Sequence, residues 1–132
     1  MRSHRLVLAL ALLAAPAAVA GEPEAASMTC PAVDAPGRVK CSAELRVAPG
    51  KRIEWADVVL LAPPAELVPL KGRVPPSDAT ETRDEAWKLA FAVVAKQRGS
   101  FTLAARLRAV VCEGKRCAPI ERDLKATVSV SE

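Results

Sequence analysis

The chain carries four cysteines, Cys30, Cys41, Cys112 and Cys117, and a single histidine, His4. A thiolate can attack, bind a metal or close a disulfide, and its neighbours decide which. Histidine is missing from that neighbourhood, because His4 lies in a leader expected to be removed. This excludes a Ser-His-Asp triad, a Cys-His pair and a histidine-ligated metal from the mature protein. Tyrosine is absent as well. The remaining reactive groups are carboxylates, lysines and the four thiols, and their spacing calls for no metal and no cofactor. Paired acids such as Asp84-Glu85 read as a solvated loop rather than an acid–base couple. An even number of cysteines in a short exported chain implies disulfides.

Export itself is read from the first twenty residues. Met1 to Arg5 holds two arginines, Leu6 to Ala15 is almost unbroken Leu, Val and Ala, and Ala18-Val19-Ala20 supplies small residues before a cut. This is the pattern of a cleavable signal peptide, with cleavage expected after Ala20 and a mature start at Gly21. The apolar run is too short to span a bilayer comfortably, and Pro16 interrupts it. No later segment is long or apolar enough to cross, so no span is expected after cleavage. The expected location is periplasmic or secreted. Loss of Arg2 and Arg5 lowers Lys+Arg from 19 to 17 against 15 acidic residues, so the formal charge falls from +4 to +2. No basic run or aromatic-interleaved patch remains, so nucleic acid is not an expected partner.

After processing, about 112 residues remain, enough for one domain with one modest core. Residues 21–29 read as a disordered start, followed by a domain over 30–132. Val39, Cys41, Ala43, Leu45 and Val47 alternate with polar residues, which predicts a half-buried strand. Pro49-Gly50 is a turn signal. Ile53 to Leu61 predicts a second strand with Ile53, Trp55, Val59 and Leu61 on one inward side; Asp57 breaks the pattern, where a bulge could sit. Ala62 to Thr82 holds five prolines and reads as loop, with at most one short edge strand near Leu67 to Val74. Trp87, Leu89, Phe91, Val93 and Ala95 form the next inward set, then Phe101 to Val111, then Leu124 to Val130. Short alternating strands without a convincing helix predict an all-β antiparallel sandwich.

Parity separates the cysteines. Cys41 lies on the apolar face of its strand, whereas Cys112 continues the face of Arg106 and Arg108. Pairing Cys112 with Cys117 around the Glu113 to Arg116 turn sets Val111 opposite Ala118, Ala105 opposite Leu124, Leu103 opposite Ala126 and Phe101 opposite Val128. Each is an inward residue meeting an inward one, which supports the register; Leu107 against Arg122 is the one misfit. Of the three possible connectivities, parity favours Cys30–Cys41 as a structural bridge and Cys112–Cys117 as an outward, accessible one. Lys115 and Arg116 precede Cys117, and positive charge favours a thiolate; Glu113 follows Cys112 and opposes it. Cys112 and Cys117 are therefore the candidate reactive pair, tuned by Lys115, Arg116 and Glu113. The competing reading is a solvated turn closed by an inert bridge.

The stretch Phe101 to Val130, with Cys112, Cys117 and Pro119, resembles the end of the N-terminal periplasmic domain of the thiol:disulfide interchange protein DsbD. The order upstream is similar: a strand over Ile53 to Leu61, a proline-rich stretch with Lys71-Gly72, then the Trp87 strand. The resemblance implies an immunoglobulin-like β-sandwich that passes reducing equivalents through a cycling cysteine pair. It also implies that Cys117 forms the mixed disulfide. Expected partners are periplasmic thiol-disulfide proteins or a membrane thiol reductase in trans. The alternative is a disulfide-stapled sandwich that binds a protein or an envelope component without redox work.

Overall fold

A computed structural model of the chain describes residues 24–132. The expected leader, its cut after Ala20 and residues 21–23 lie outside them. Nine strands follow in order: β1 (Ala25–Thr29), β2 (Gly37–Arg46), β3 (Lys51–Leu61), β4 (Leu67–Pro69), β5 (Arg73–Val74), β6 (Ala79–Arg83), β7 (Ala86–Ala95), β8 (Gly99–Glu113) and β9 (Arg116–Val130). Among the described residues a single 3₁₀ turn, Pro76–Asp78, precedes β6. None of the helical segments among the described residues is long and apolar enough to cross a membrane.

The strands pair antiparallel in two sheets. One runs β1-β2-β7-β4, with β6 also on β7; the other runs β5-β3-β8-β9. With β1, β2 and β7 as A, B and E, and β3, β8 and β9 as C, F and G, this is an immunoglobulin-like sandwich, β5 taking the place beside C. Inner faces alternate as the residues dictate. Val39, Cys41, Ala43 and Leu45 of β2 meet Val93, Phe91, Leu89 and Trp87 of β7 in register. Leu103, Ala105, Leu107 and Ala109 of β8 supply the opposing layer, each at most 2% exposed. A fully buried Leu or Val contributes roughly 1.5–3 kcal/mol, so this continuous core dominates what holds the layers together.

Three sequence expectations are corrected. The start is not disordered throughout: Ala25–Thr29 is β1, paired with β2 from Ala25 opposite Arg46 to Thr29 opposite Ser42. Its strand is short and only Met28 is buried, so alternation alone was too brief to mark it. In β3, Glu54 is unopposed, since Ile53 pairs with Val111 and Trp55 with Val110. This bulge shifts the parity, so Ala56, Val58 and Leu60 point inward, and Trp55, Val59 and Leu61 turn outward and are half-buried. The proline-rich stretch holds three short strands rather than at most one, because β4 and β6 each borrow a part of the long β7 and β5 borrows β3.

Candidate functional site

The β8–β9 hairpin forms with the register expected from its apolar pairs: Phe101–Val128, Leu103–Ala126, Ala105–Leu124, Val111–Ala118 and Cys112–Cys117. The ladder continues through Glu113 opposite Arg116, leaving a two-residue turn, Gly114-Lys115. Gly114 takes φ +58°, and a two-residue hairpin turn with left-handed backbone at its first position favours glycine there. Pairing is regular through Pro119 to the one misfit, Leu107 opposite Arg122. Leu107 is fully buried, and its partner Arg122 escapes the apolar layer by donating from Nη2 to Glu24 Oε2 at 3.0 Å.

Both expected bridges are closed. Cys30–Cys41 and Cys112–Cys117 hold their Cα atoms 4.3 and 4.0 Å apart. Cys41 is buried, as parity requires, and Cys30 is half-buried. Cys112 departs from expectation. It occupies the outer face of β8, yet it is only 1% exposed, whereas Cys117 is exposed. Facing outward did not mean facing water. Arg52, opposite Cys112 in register, reaches across the hairpin mouth, its Nη1 donating to Gly114 O at 2.9 Å and its Nε to Glu54. The Cys112–Cys117 bridge is thus lopsided, with one sulfur-bearing residue covered and one open. Glu113, Lys115 and Arg116 are all exposed around the turn.

On the inward side of the hairpin mouth, across the ladder from the side chains of the bridge, lies a hollow of about 190 Å³. Val111, Ala118 and Ile120 form its apolar floor, Cys112 and Cys117 border it, and Glu24, Lys51, Glu113 and Arg116 provide charge. Lys51 Nζ lies 3.8 Å from Glu24 Oε1, the same carboxylate that Arg122 binds. Neither Glu24 nor Lys51 stood out in the sequence. No short spacing links them to Cys117; the register of β3 against β8 sets Lys51 opposite Glu113, and Glu24, just before β1, is held by Arg122 of β9.

A second polar feature was legible only as an anomaly. Asp57, which broke the β3 pattern, is fully buried on the outer face of its sheet. Arg108 binds it through both Nε, at 2.8 Å, and Nη2; Arg73 Nε adds a third bond at 2.7 Å. Burial pushes the Asp57 carboxyl up, but the hydrogen bonds and charges of Arg108 and Arg73 together hold it below the usual carboxylate range. The same pairing raises the Arg108 guanidinium. Arg108 also lies 5.9 Å from the Trp55 ring centroid. This network clamps β5, β3 and β8 behind the hairpin.

No protein-family model matches the sequence, and no curated protein matches it. Among solved structures, the chain is similar to the ASH / PapD-like domain of human CEP192 (PapD-like domain 7), at 12% identity and a TM-score of 0.44. That match covers 96% of this chain and all of the other.

Proposed function

We propose that this protein is an exported thiol–disulfide exchange module, periplasmic or secreted, that passes reducing equivalents through Cys112 and Cys117. The observation that carries this reading is the asymmetry of the hairpin bridge: an exposed Cys117 joined to a covered Cys112. An incoming thiolate can approach the exposed sulfur and must leave the covered one as leaving group. Exchange needs this directionality, because attack on one sulfur defines which cysteine is captured and which resolves. Arg116 and Lys115 favour negative charge near Cys117 during attack. Two closed bridges also fit an oxidising compartment. The resemblance of Phe101 to Val130 to the DsbD N-terminal domain supports the same assignment, with thiol-disulfide proteins or a membrane thiol reductase in trans as partners. The reduction potential of the Cys112–Cys117 pair tests it. A value between roughly −120 and −270 mV, where exchange proteins work, is expected; a value below roughly −300 mV, where structural bridges lie, overturns it.

One observation favours a second reading, a stapled binding module. Val68 and Leu70 are 39% and 48% exposed, and Leu70 with Ala90 and Ala92 borders a hollow of about 390 Å³ on the outer face of the β2–β7 sheet. An inert hairpin bridge would leave this face as the functional surface.

A further inference from the structure

The outer face of the β2–β7 sheet is interrupted at one place. β2 lies against β7 along its whole length, so β4 and β6 share the opposite side of β7. β4 takes Val93 to Ala95 and β6 takes Ala86 to Leu89. Between them Ala90, Phe91 and Ala92 have no strand partner on that side. There the chain leaves after Leu70 for β5 in the other sheet and returns at Asp78. Leu70 N donates to Ala92 O at 3.1 Å and fixes one wall of the gap. The hollow of about 390 Å³ sits here.

Phe91 packs on the core, so Ala90 and Ala92 on either side of it face outward and floor the hollow with methyl groups. Leu70, 48% exposed, stands over them, and the next rung is apolar as well, Val94 opposite Val68. Charge on the rim is unequal. Lys71 Nζ is already bound to Asp78 Oδ2 at 2.8 Å. Lys40, opposite Ala92, stands between the rungs Arg38–Val94 and Ser42–Ala90, and neither carries an acid. The hollow thus has one ammonium in excess of its carboxylates above an apolar floor. A concave apolar site in the range of roughly 300–1,000 Å³ suits a small molecule better than a flat bilayer or a folded partner. One excess charge matches one carboxylate, whereas a phosphate dianion would leave a charge unmet. We infer that this hollow binds a small amphipathic carboxylate, its acyl chain laid along Ala90, Ala92 and Leu70 and its head group on Lys40. The site lies on the sheet that does not carry the hairpin bridge and is independent of the exchange reading.

The test uses the exported protein with both bridges closed and four probes: octanoate, octan-1-ol, octylammonium and acetate. Titration calorimetry reads affinity, and amide shifts along β2 and β7 read position. Octanoate should bind one-to-one and roughly fivefold tighter than octan-1-ol, the scale of a partly exposed ion pair, with octylammonium weaker than either. Acetate, which has no chain, should show no binding. Lys40→Met should bring octanoate to the affinity of octan-1-ol and leave octan-1-ol unchanged. Ala92→Leu fills the floor and should weaken all three eight-carbon probes about tenfold, the scale of one or two methylenes denied burial. Leu70→Ser, at an exposed wall where folding is not at stake, should weaken them in the same order. Equal affinity for octanoate and octylammonium, an octanoate preference that survives Lys40→Met, or shifts that avoid Ala90 and Ala92 overturn the site. Binding to anionic vesicles without a one-to-one octanoate complex overturns it too, and would make this face a membrane contact.

Discussion

Cys112 and Cys117 face each other across one hairpin rung with their Cα atoms 4.0 Å apart, yet Cys112 is 1% exposed and Cys117 lies open. Under the proposed exchange function that contrast assigns their roles, because a partner sulfur would approach the open residue and not the covered one.

Cys117 should therefore capture and Cys112 resolve. Expressed in an oxidising compartment, Cys112→Ala should accumulate covalent adducts that dithiothreitol releases, and Cys117→Ala should trap far fewer. Non-reducing electrophoresis reads both. Equal trapping, or trapping only by Cys117→Ala, refutes the assignment.

The two bridges should differ modestly in what they contribute to stability. Cys112–Cys117 joins directly opposed strand positions and Cys30–Cys41 joins β2 to the residue just past the end of β1, and each has one buried cysteine, Cys41 or Cys112. What remains is loop size: separations of 11 and 5 residues. Chain entropy then assigns about 3 kcal/mol to Cys30–Cys41 and about 2 kcal/mol to Cys112–Cys117. Denaturant midpoints of the two double Cys→Ala variants, at matched m-values, should rank in that order. The reverse order would show that native-state packing outweighs loop closure.

Asp57 makes the fold acid-sensitive. Its carboxyl is held below the usual range, so the folded state binds fewer protons than the unfolded one as the pH falls. Its contribution is complete above the unfolded carboxylate value of about 4 and is lost as the pH drops through the lower, folded value. Asp57→Asn should cost about 2 kcal/mol near pH 7, the scale of hydrogen bonds to a charged group, and progressively less as the pH falls below about 4. Unfolding midpoints of both proteins across that range decide it. A gap that does not narrow in acid would mean the loss came from packing.

Pro119 should act as a guard on the β9 edge. Pro119→Val restores an outward N–H on a long strand whose free side pairs with no named strand among the described residues. The variant should self-associate with rising concentration, read by light scattering, while the parent does not. An unchanged variant would show that the edge is blocked by other means.

Alternation carried most of the fold. The β8–β9 register was legible to the residue because apolar positions on both strands had to coincide, and a slip by one would have turned each set outward. β3 misled for a local reason. One extra residue, Glu54, resets the parity of everything after it, and no side chain in Ile53 to Leu61 announces where an unopposed residue sits. Asp57 hinted at it, and its answer, Arg73 and Arg108, lay on other strands. The burial of Cys112 was hidden for the same kind of reason. Parity gives the face of a sheet, not how far neighbouring strands cover it, and Arg52 of β3 stands opposite Cys112 there. Short partners of β7 and β3 in the proline-rich stretch were illegible because their pairing is supplied by the longer strand.

Neither bridge runs from one layer of the sandwich to the other. Cys30–Cys41 closes the β1–β2 edge and Cys112–Cys117 the β8–β9 mouth, while burial of Leu45, Leu89, Leu103 and Leu107 clamps the layers without a covalent tie. Oxidised and reduced forms of the hairpin pair should thus share one outline. A partner would gain no grip from a change of shape when the protein loads or unloads electrons. The distinction between charged and spent would rest on the sulfurs themselves, in whether the open side of Cys117 presents a bond to be broken or a thiolate ready to attack.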